Sequence, residues 1–431
     1  MSYANHPPIS DPDGHSPKAE ELQSAEKALS PDLSSPPRPA KKRRRVSLPV
    51  LFLCIILSLL VGMGGTLLCL WRGGISGISA KLRSVDFLVN RYYTGEVDYD
   101  ALDQAILSAY MEAIEDKYGF YKNSEDAEAV SDSFSGDGEG IGVTVYYDAN
   151  AKNICIIRID AGAPAEKAGL KIGDRIVSVD GVTVAQRGYQ ESVSAMKRER
   201  GVTVTLEILR DGKPQTVSVK YEEFIRQSVY YHQIGTVGYL CFTAFNSATV
   251  AQFNEAMDAL TAAGVTGLIF DIRDNGGGTV DSVSKILDRL LGECNIMTVE
   301  YANGEKKVLY TSDKEETDLP MAVLVNSSTA SASELFAASI RDMNKGVLIG
   351  NKTYGKGVMQ RTYFLPDGSC VRFTVGRFFP PGGVNFNEVG LEPDITVSYT
   401  AEEQTQRYTL GDDDPYIKAA LEYLKGASNH Q

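Results

Sequence analysis

Three short stretches carry residues whose chemistry can be coupled. The first reads Asn326-Ser327-Ser328-Thr329-Ala330-Ser331-Ala332-Ser333-Glu334, between an apolar strand expected over 321–325 and a helix with apolar spacing through Leu335, Phe336, Ala338 and Ile340. A hydroxyl-rich turn entering a helix lifts a serine oxygen to the helix mouth, where unpaired backbone N–H groups favour developing negative charge. The second, Tyr354-Gly355-Lys356-Gly357, sets a lysine on a glycine-flanked turn. Burial that depresses its pKa from about 10.4 lets such an amine accept a serine proton near neutrality. The third, Asn275-Gly276-Gly277-Gly278, follows a buried strand expected over 267–272 and exposes N–H groups with no side chain in the way, which suits an oxyanion hole. It lacks the G-x-x-x-x-G-K-[ST] spacing of a phosphate loop. Nucleophile, base and oxyanion donors are the needs of acyl transfer. On chemistry alone Ser327, Ser328, Ser331 and Ser333 all stay open as the nucleophile, and Lys352 competes with Lys356. A plain helix cap and a salt-bridge lysine are the bland alternatives.

What is scarce narrows the choice. The chain has four histidines; His6 and His15 fall in a polar N-terminal tail, and His430 is the penultimate residue. Only His232 falls in the folded region, so a Ser-His-Asp triad has one candidate and a multi-histidine metal site has none. No metal and no cofactor are expected. The net charge of -13 argues against a nucleic-acid partner, since phosphates would be repelled. The six cysteines form no CxxC pair and read as small buried thiols rather than a metal site.

The elements that must position these groups follow from composition. Residues 1–45 are rich in Pro, Ser and charge and are expected to be a disordered cytoplasmic tail. Residues 46–72 are almost continuously apolar and long enough to cross a bilayer. The run Lys41-Lys42-Arg43-Arg44-Arg45 just before them places the N-terminus inside and the remainder outside. A signal anchor is favoured over a cleaved signal peptide, because a long tail precedes the basic run and no clear A-x-A site follows. Residues 73–136 show helical spacing and end in a Ser/Gly/Asp linker over 131–138; these helices are expected to pack on something else, such as a second copy in a homodimer. Residues 137–222 read as a β-rich module with strands near 141–147, 154–159, 175–179, 202–210 and 216–221, and helical spacing at 189–196. Residues 223–400 alternate strands and helices as an α/β domain does, including a helix over 249–262 and a run of strands over 358–378. Residues 401–431 form a C-terminal tail with a short helix.

Two resemblances rest on motifs. Ala163-Pro164-Ala165-Glu166-Lys167-Ala168-Gly169-Leu170, followed by Gly173-Asp174-Arg175-Ile176 and Val179-Asp180-Gly181, is similar to a PDZ domain. That resemblance implies that Gly140-Ile141-Gly142-Val143 is a carboxylate-binding loop, receiving the free C-terminus of a peptide that adds as a strand. Ser331-Ala332-Ser333-Glu334, then Gly355-Lys356-Gly357 and Gln360, with Asp271-Ile272-Arg273-Asp274-Asn275-Gly276-Gly277-Gly278 upstream and Gly390-Leu391-Glu392-Pro393-Asp394 late, resembles the C-terminal processing (tail-specific) serine peptidase family. The resemblance implies a ClpP/crotonase-like α/β core with an upstream PDZ domain. It makes Ser331 the nucleophile, Lys356 the general base and Gln360 the residue that positions the lysine, with Gly276, Gly277 and Ala332 at the oxyanion hole. The implied activity is a membrane-anchored endopeptidase working outside the bacterial cytoplasmic membrane on proteins recognised by their C-termini. A non-catalytic PDZ-bearing membrane scaffold is the competing class. Gly277 stands where that family often has a proline, and Ser328-Thr329-Ala330 where it often has Gly-Ser-Ala.

Overall fold

The computed structural model describes residues 49, 52–53, 55–62, 77–408 and 410–427. It divides into two units, one ending at Glu96 and the other beginning at Val97. The tail expected over 1–45 and much of the apolar span expected over 46–72 lie outside the described residues. Among the described residues no helix is long and apolar enough to cross a membrane. In the first unit, Ile78–Tyr92 is a helix whose Val85, Phe87, Leu88 and Tyr92 are exposed.

The second unit is built on a six-stranded sheet in the order Val229–Ile234, Val237–Phe242, Gly267–Asp271, Met321–Val325, Gly346–Gly350 and Ile395–Thr396. All neighbours are parallel except the first pair. Strands Gly267–Asp271 and Met321–Val325 are buried along their whole length, as a sheet covered on both faces requires. Successive side chains point to opposite faces. Leu268, Phe270, Val323 and Val325 therefore join a core with Phe253, Leu287, Leu335 and Phe336 from helices Thr249–Ala262, Val280–Leu290 and Ala332–Asp342. Ile269, Ala322 and Leu324 pack on Ile417, Ala420 and Leu424 of the C-terminal helix Pro415–Ala427. With both faces covered, the loops at the strands' carboxyl ends are the place left for a site.

A second sheet flanks this core. The run of strands expected over 358–378 consists of two antiparallel strands, Val358–Phe364 and Cys370–Phe379, and the latter also pairs with Cys294–Tyr301 and Phe120–Lys122. The β-rich module has its own sheet and its own core of Ile154, Ile156, Ile176, Leu206 and Ile208. Its helix Tyr189–Met196 stands where the spacing placed it. The linker expected over 131–138 is different: helix Ser124–Ser135 runs through it, and Asp137–Gly140 then pairs antiparallel with Glu222–Ile225. Chain entering and chain leaving the module thus form a two-stranded ribbon, and neither strand reads as one alone because each lacks a hydrophobic face. Four cysteines lie in the described region as free thiols, with Cys155, Cys241 and Cys370 buried.

Candidate active site

Ser331 immediately precedes helix Ala332–Asp342 and takes φ 59° and ψ −118°. A residue with a Cβ occupies that region only where its surroundings over-determine it. Much of that determination comes from Glu334, whose side chain is fully buried. Its Oε2 accepts from the backbone N–H of Ser331 (2.9 Å) and of Lys356 (2.8 Å). Its Oε1 accepts from the N–H of Gly355 (2.8 Å) and the hydroxyl of Thr353 (2.6 Å). One carboxylate with four donors can bear burial, and it ties the serine turn to the lysine turn. The neighbouring hydroxyls are placed otherwise. Ser333 is buried in the helix with its Oγ unpaired, and Ser327 and Ser328 are exposed.

The glycine turn is held against the serine turn by a second buried hub. Asn275 accepts the Gly277 N–H at its Oδ1 (2.9 Å), donates Nδ2 to the Phe242 carbonyl (3.0 Å), and accepts the Ala330 N–H at its own carbonyl (3.1 Å). Thr329 Oγ1 donates to the Ile272 carbonyl (2.9 Å) and the Asp274 N–H donates to Asn326 Oδ1 (3.0 Å), closing the join. Gly277 has φ 104°, and a Cβ there would lie 2.8 Å from the Ala330 oxygen, 3.0 Å from the Ala332 nitrogen and 3.0 Å from Ser331 Cβ. Only glycine fits so close to the serine. Its N–H is taken by Asn275. Gly276 and Ala332 keep N–H groups without a hydrogen-bond partner among the described residues; Ala332 does so because it opens the helix.

The lysine turn is packed on both sides. A Cβ at Gly355 would meet the Gly390 nitrogen at 2.8 Å, and one at Gly357 would meet the Asn387 nitrogen at 2.7 Å. Lys356 is the cation of interest. Desolvation pulls its amine below the ordinary lysine value, and repulsion from Arg372 and Lys117 adds to this against the pull of Asp116 and Glu334. Its Nζ lies 4.3 Å from the centroid of the Tyr118 ring, and no hydrogen bond joins it to Ser331 Oγ. Lys352 instead makes an exposed ion pair with Glu392 (2.7 Å). Gln360 falls in an extended strand as expected, but its Nε2 donates to the Val358 carbonyl (3.2 Å) and Thr374 Oγ1 (3.3 Å) rather than meeting the lysine amine. His232 lies on the edge strand Val229–Ile234, with Nε2 3.0 Å from Asp412 Oδ1, and makes no hydrogen bond to a candidate serine among the described residues.

In the module, Gly140-Ile141-Gly142-Val143 lines one wall of a groove of about 490 Å³ that Val193, Met196 and Lys197 also border. Strand Val143–Asp148 pairs only with Asn153–Ile159, so its other edge is open along the groove. A Cβ at Gly142 would strike Ala163 Cβ at 2.2 Å, which keeps that loop bare. Arg175 is paired with Asp148 (2.8 Å) inside the module. The structure also brings in groups that the motifs did not reveal: Glu334 as the tether, Asn275 as the hub, and Asp116 with Tyr118 beside the lysine. For Glu334 a signal was present, since Ser331-x-x-Glu334 has capping-box spacing.

Comparison with known proteins identifies the two domains that carry these groups. Residues 236–397 match Peptidase family S41 and residues 139–221 match the PDZ domain. The carboxy-terminal processing protease CtpA of Bacillus subtilis (strain 168) is 30% identical over 356 residues, covering 80% of this chain and 76% of that one. A "Probable CtpA-like serine protease" of Staphylococcus aureus (strain COL) is 29% identical over 347 residues, covering 78% of this chain and 70% of that one. A solved S41-protease structure from Bacteroides fragilis NCTC 9343 shares the fold, with a TM-score of 0.57, 18% identity and coverage of 78% of this chain and 93% of that one. With its PDZ domain and mixed α/β protease core, the chain belongs to peptidase family S41, as a C-terminal processing serine protease of the CtpA-like kind.

Proposed function

We propose that the chain is a membrane-anchored endopeptidase in which Ser331 is the nucleophile and Lys356 the general base, on a ClpP/crotonase-like core. The observation that carries this is the Glu334 tether. It fixes the serine turn and the lysine turn in one unit, beside a desolvated lysine that has no acidic side chain bonded to its amine. In the proposed reaction the neutral Lys356 amine takes the Ser331 proton as Oγ bonds to the scissile carbonyl carbon. The oxygen that gains the charge meets the N–H groups of Ala332 and Gly276, with Gly277 supplying the bare Cα that lets it approach. Lys356 then gives its proton to the departing amine, and water attacks the acyl-enzyme with Lys356 again as base. Gln360 acts at one remove, through Thr374.

The PDZ groove is proposed to take the substrate's C-terminus along the open edge of strand Val143–Asp148, with Lys197 and Arg226 supplying positive charge for a carboxylate. The basic run before residues 46–72 supports an anchor in the bacterial cytoplasmic membrane with the protease outside. The exposed apolar residues of helix Ile78–Tyr92 support a homodimer, which light scattering on the purified protein would test. For the dyad, Ser331→Ala and Lys356→Ala are each expected to abolish cleavage of dye-labelled casein, by about a thousandfold or more, with circular dichroism unchanged. Retained hydrolysis in either variant would overturn the assignment.

A further inference from the structure

The turn after helix Tyr99–Ala113 reads Asp116-Lys117-Tyr118-Gly119 and lies far from Lys356 in sequence. In space it closes over the lysine. Asp116 Oδ2 accepts the Thr374 N–H (2.5 Å), and its Oδ1 accepts the Thr374 hydroxyl (3.0 Å) and the Tyr118 N–H (3.0 Å). Thr374 sits opposite Gln360 in the sheet and receives its amide. So Asp116, Thr374 and Gln360 form one chain of hydrogen bonds, and its far end holds the backbone N–H of Tyr118, the residue whose ring the Lys356 amine rests on at 4.3 Å. Lys117 lies 4.8 Å from the centroid of the neighbouring Tyr354 ring and 5.4 Å from that of Tyr118, so it faces the same ring at a longer distance than Lys356 does.

We propose that Asp116 and Tyr118 are positioning residues for Lys356: the Tyr118 ring seats the amine while it is a cation, and Asp116 fastens the backbone that carries that ring to the core through Thr374. The proposal rests on Lys356 being the base. A ring face attracts an ammonium and not a neutral amine, so the seat holds the lysine while it is protonated and lets go when it is neutral and able to serve Ser331. The other groups facing the amine are Glu334 from the nucleophile helix, Arg372 from strand Cys370–Phe379, and Lys117 and Asp116 from the turn itself. Burial works to raise the Asp116 pKa, but the N–H groups of Thr374 and Tyr118 more than offset it, so Asp116 stays an anion beside the lysine.

The test is the pH dependence of kcat/KM on dye-labelled casein for Tyr118→Leu, Tyr118→Phe and Asp116→Asn. Tyr118→Leu is expected to move the acidic limb down by about half a pH unit, roughly a threefold gain on the acid side of the limb. Tyr118→Phe keeps the ring and should leave the limb where it is. Asp116→Asn removes both the fastening and a charge that favours ammonium, and should move the limb in the same direction. It is nearly isosteric and so carries the test should Tyr118→Leu fail to fold. A uniform loss of rate with an unmoved limb would overturn the proposal, and so would equal shifts in Tyr118→Phe and Tyr118→Leu. Lys356→Ala separates the two levels. If it retains activity and limb, the base assignment fails; if it is inactive while the other limbs stay put, only the positioning role fails.

Discussion

On the serine side of the site, the anchors are hydrogen bonds from two buried side chains, nearly all of them to backbone. Glu334 and Asn275 between them fasten Ser331, Ala330, Gly277, Gly355 and Lys356. On the lysine side the backbone shares that carboxylate, yet the amine rests on an aromatic face and carries no hydrogen bond to the serine. The first kind of contact fixes atoms to within tenths of an ångström and is costly to break in the interior. The second is worth about 0.5–2 kcal/mol and vanishes when the proton leaves. On the proposed assignment, the site therefore keeps Ser331 and the free N–H groups preorganised and leaves the Lys356 amine free to move.

If that contrast holds, damage to the fixed half should be severe and damage to the movable half mild and pH-dependent. The largest expected effect after loss of the dyad itself is Gly277→Ala. The new Cβ would press on the Ala330 oxygen, the Ala332 nitrogen and Ser331 Cβ in a backbone conformation alanine avoids. Activity should fall by about a hundredfold or more, with a stability loss of about 1–3 kcal/mol, measured by casein hydrolysis and urea unfolding. Near-normal turnover would show that the glycine turn is not part of the chemistry.

Glu334→Gln comes next. An amide offers one acceptor oxygen where the carboxylate offers two, and its NH₂ would confront backbone donors. A loss of about 2–4 kcal/mol is expected in the urea midpoint analysis, together with reduced activity. An unchanged midpoint would mean that the tether carries little of the geometry.

The smallest effect belongs to Arg372→Gln. Arg372 repels the ammonium of Lys356, so removing it lets the lysine pKa rise back toward its ordinary value. The proposed base acts when neutral, so activity should climb as pH rises through that pKa. The acidic limb of kcat/KM should therefore shift to higher pH by a fraction of a unit. A shift to lower pH would contradict the sign of the coupling.

The same contrast explains what could be read from sequence. Local signals did well: the strand over 321–325, helix Tyr189–Met196 and the glycines around Lys356 each depend on neighbours a few residues away. The convergence of three strand-end turns followed from the α/β pattern. Contacts between distant segments were invisible. Asp116 and Tyr118 look like an ordinary charged turn until the fold brings Thr374 and Lys356 to them. Asp137 and Gly138 read as the end of a linker because their partners, Ile225 and Phe224, lie across the whole PDZ module. Gln360 was placed in the right strand with a different partner for its amide, since one register step decides which neighbour a side chain meets.

The central claim is that Lys356 activates Ser331, and the most direct measurement is covalent labelling read by peptide mass spectrometry. Treated with a fluorophosphonate at mildly alkaline pH, the unmodified protein should carry one adduct, on Ser331, and the Lys356→Ala protein should carry none. An adduct on another serine, or undiminished labelling of Ser331 without the lysine, would contradict the account.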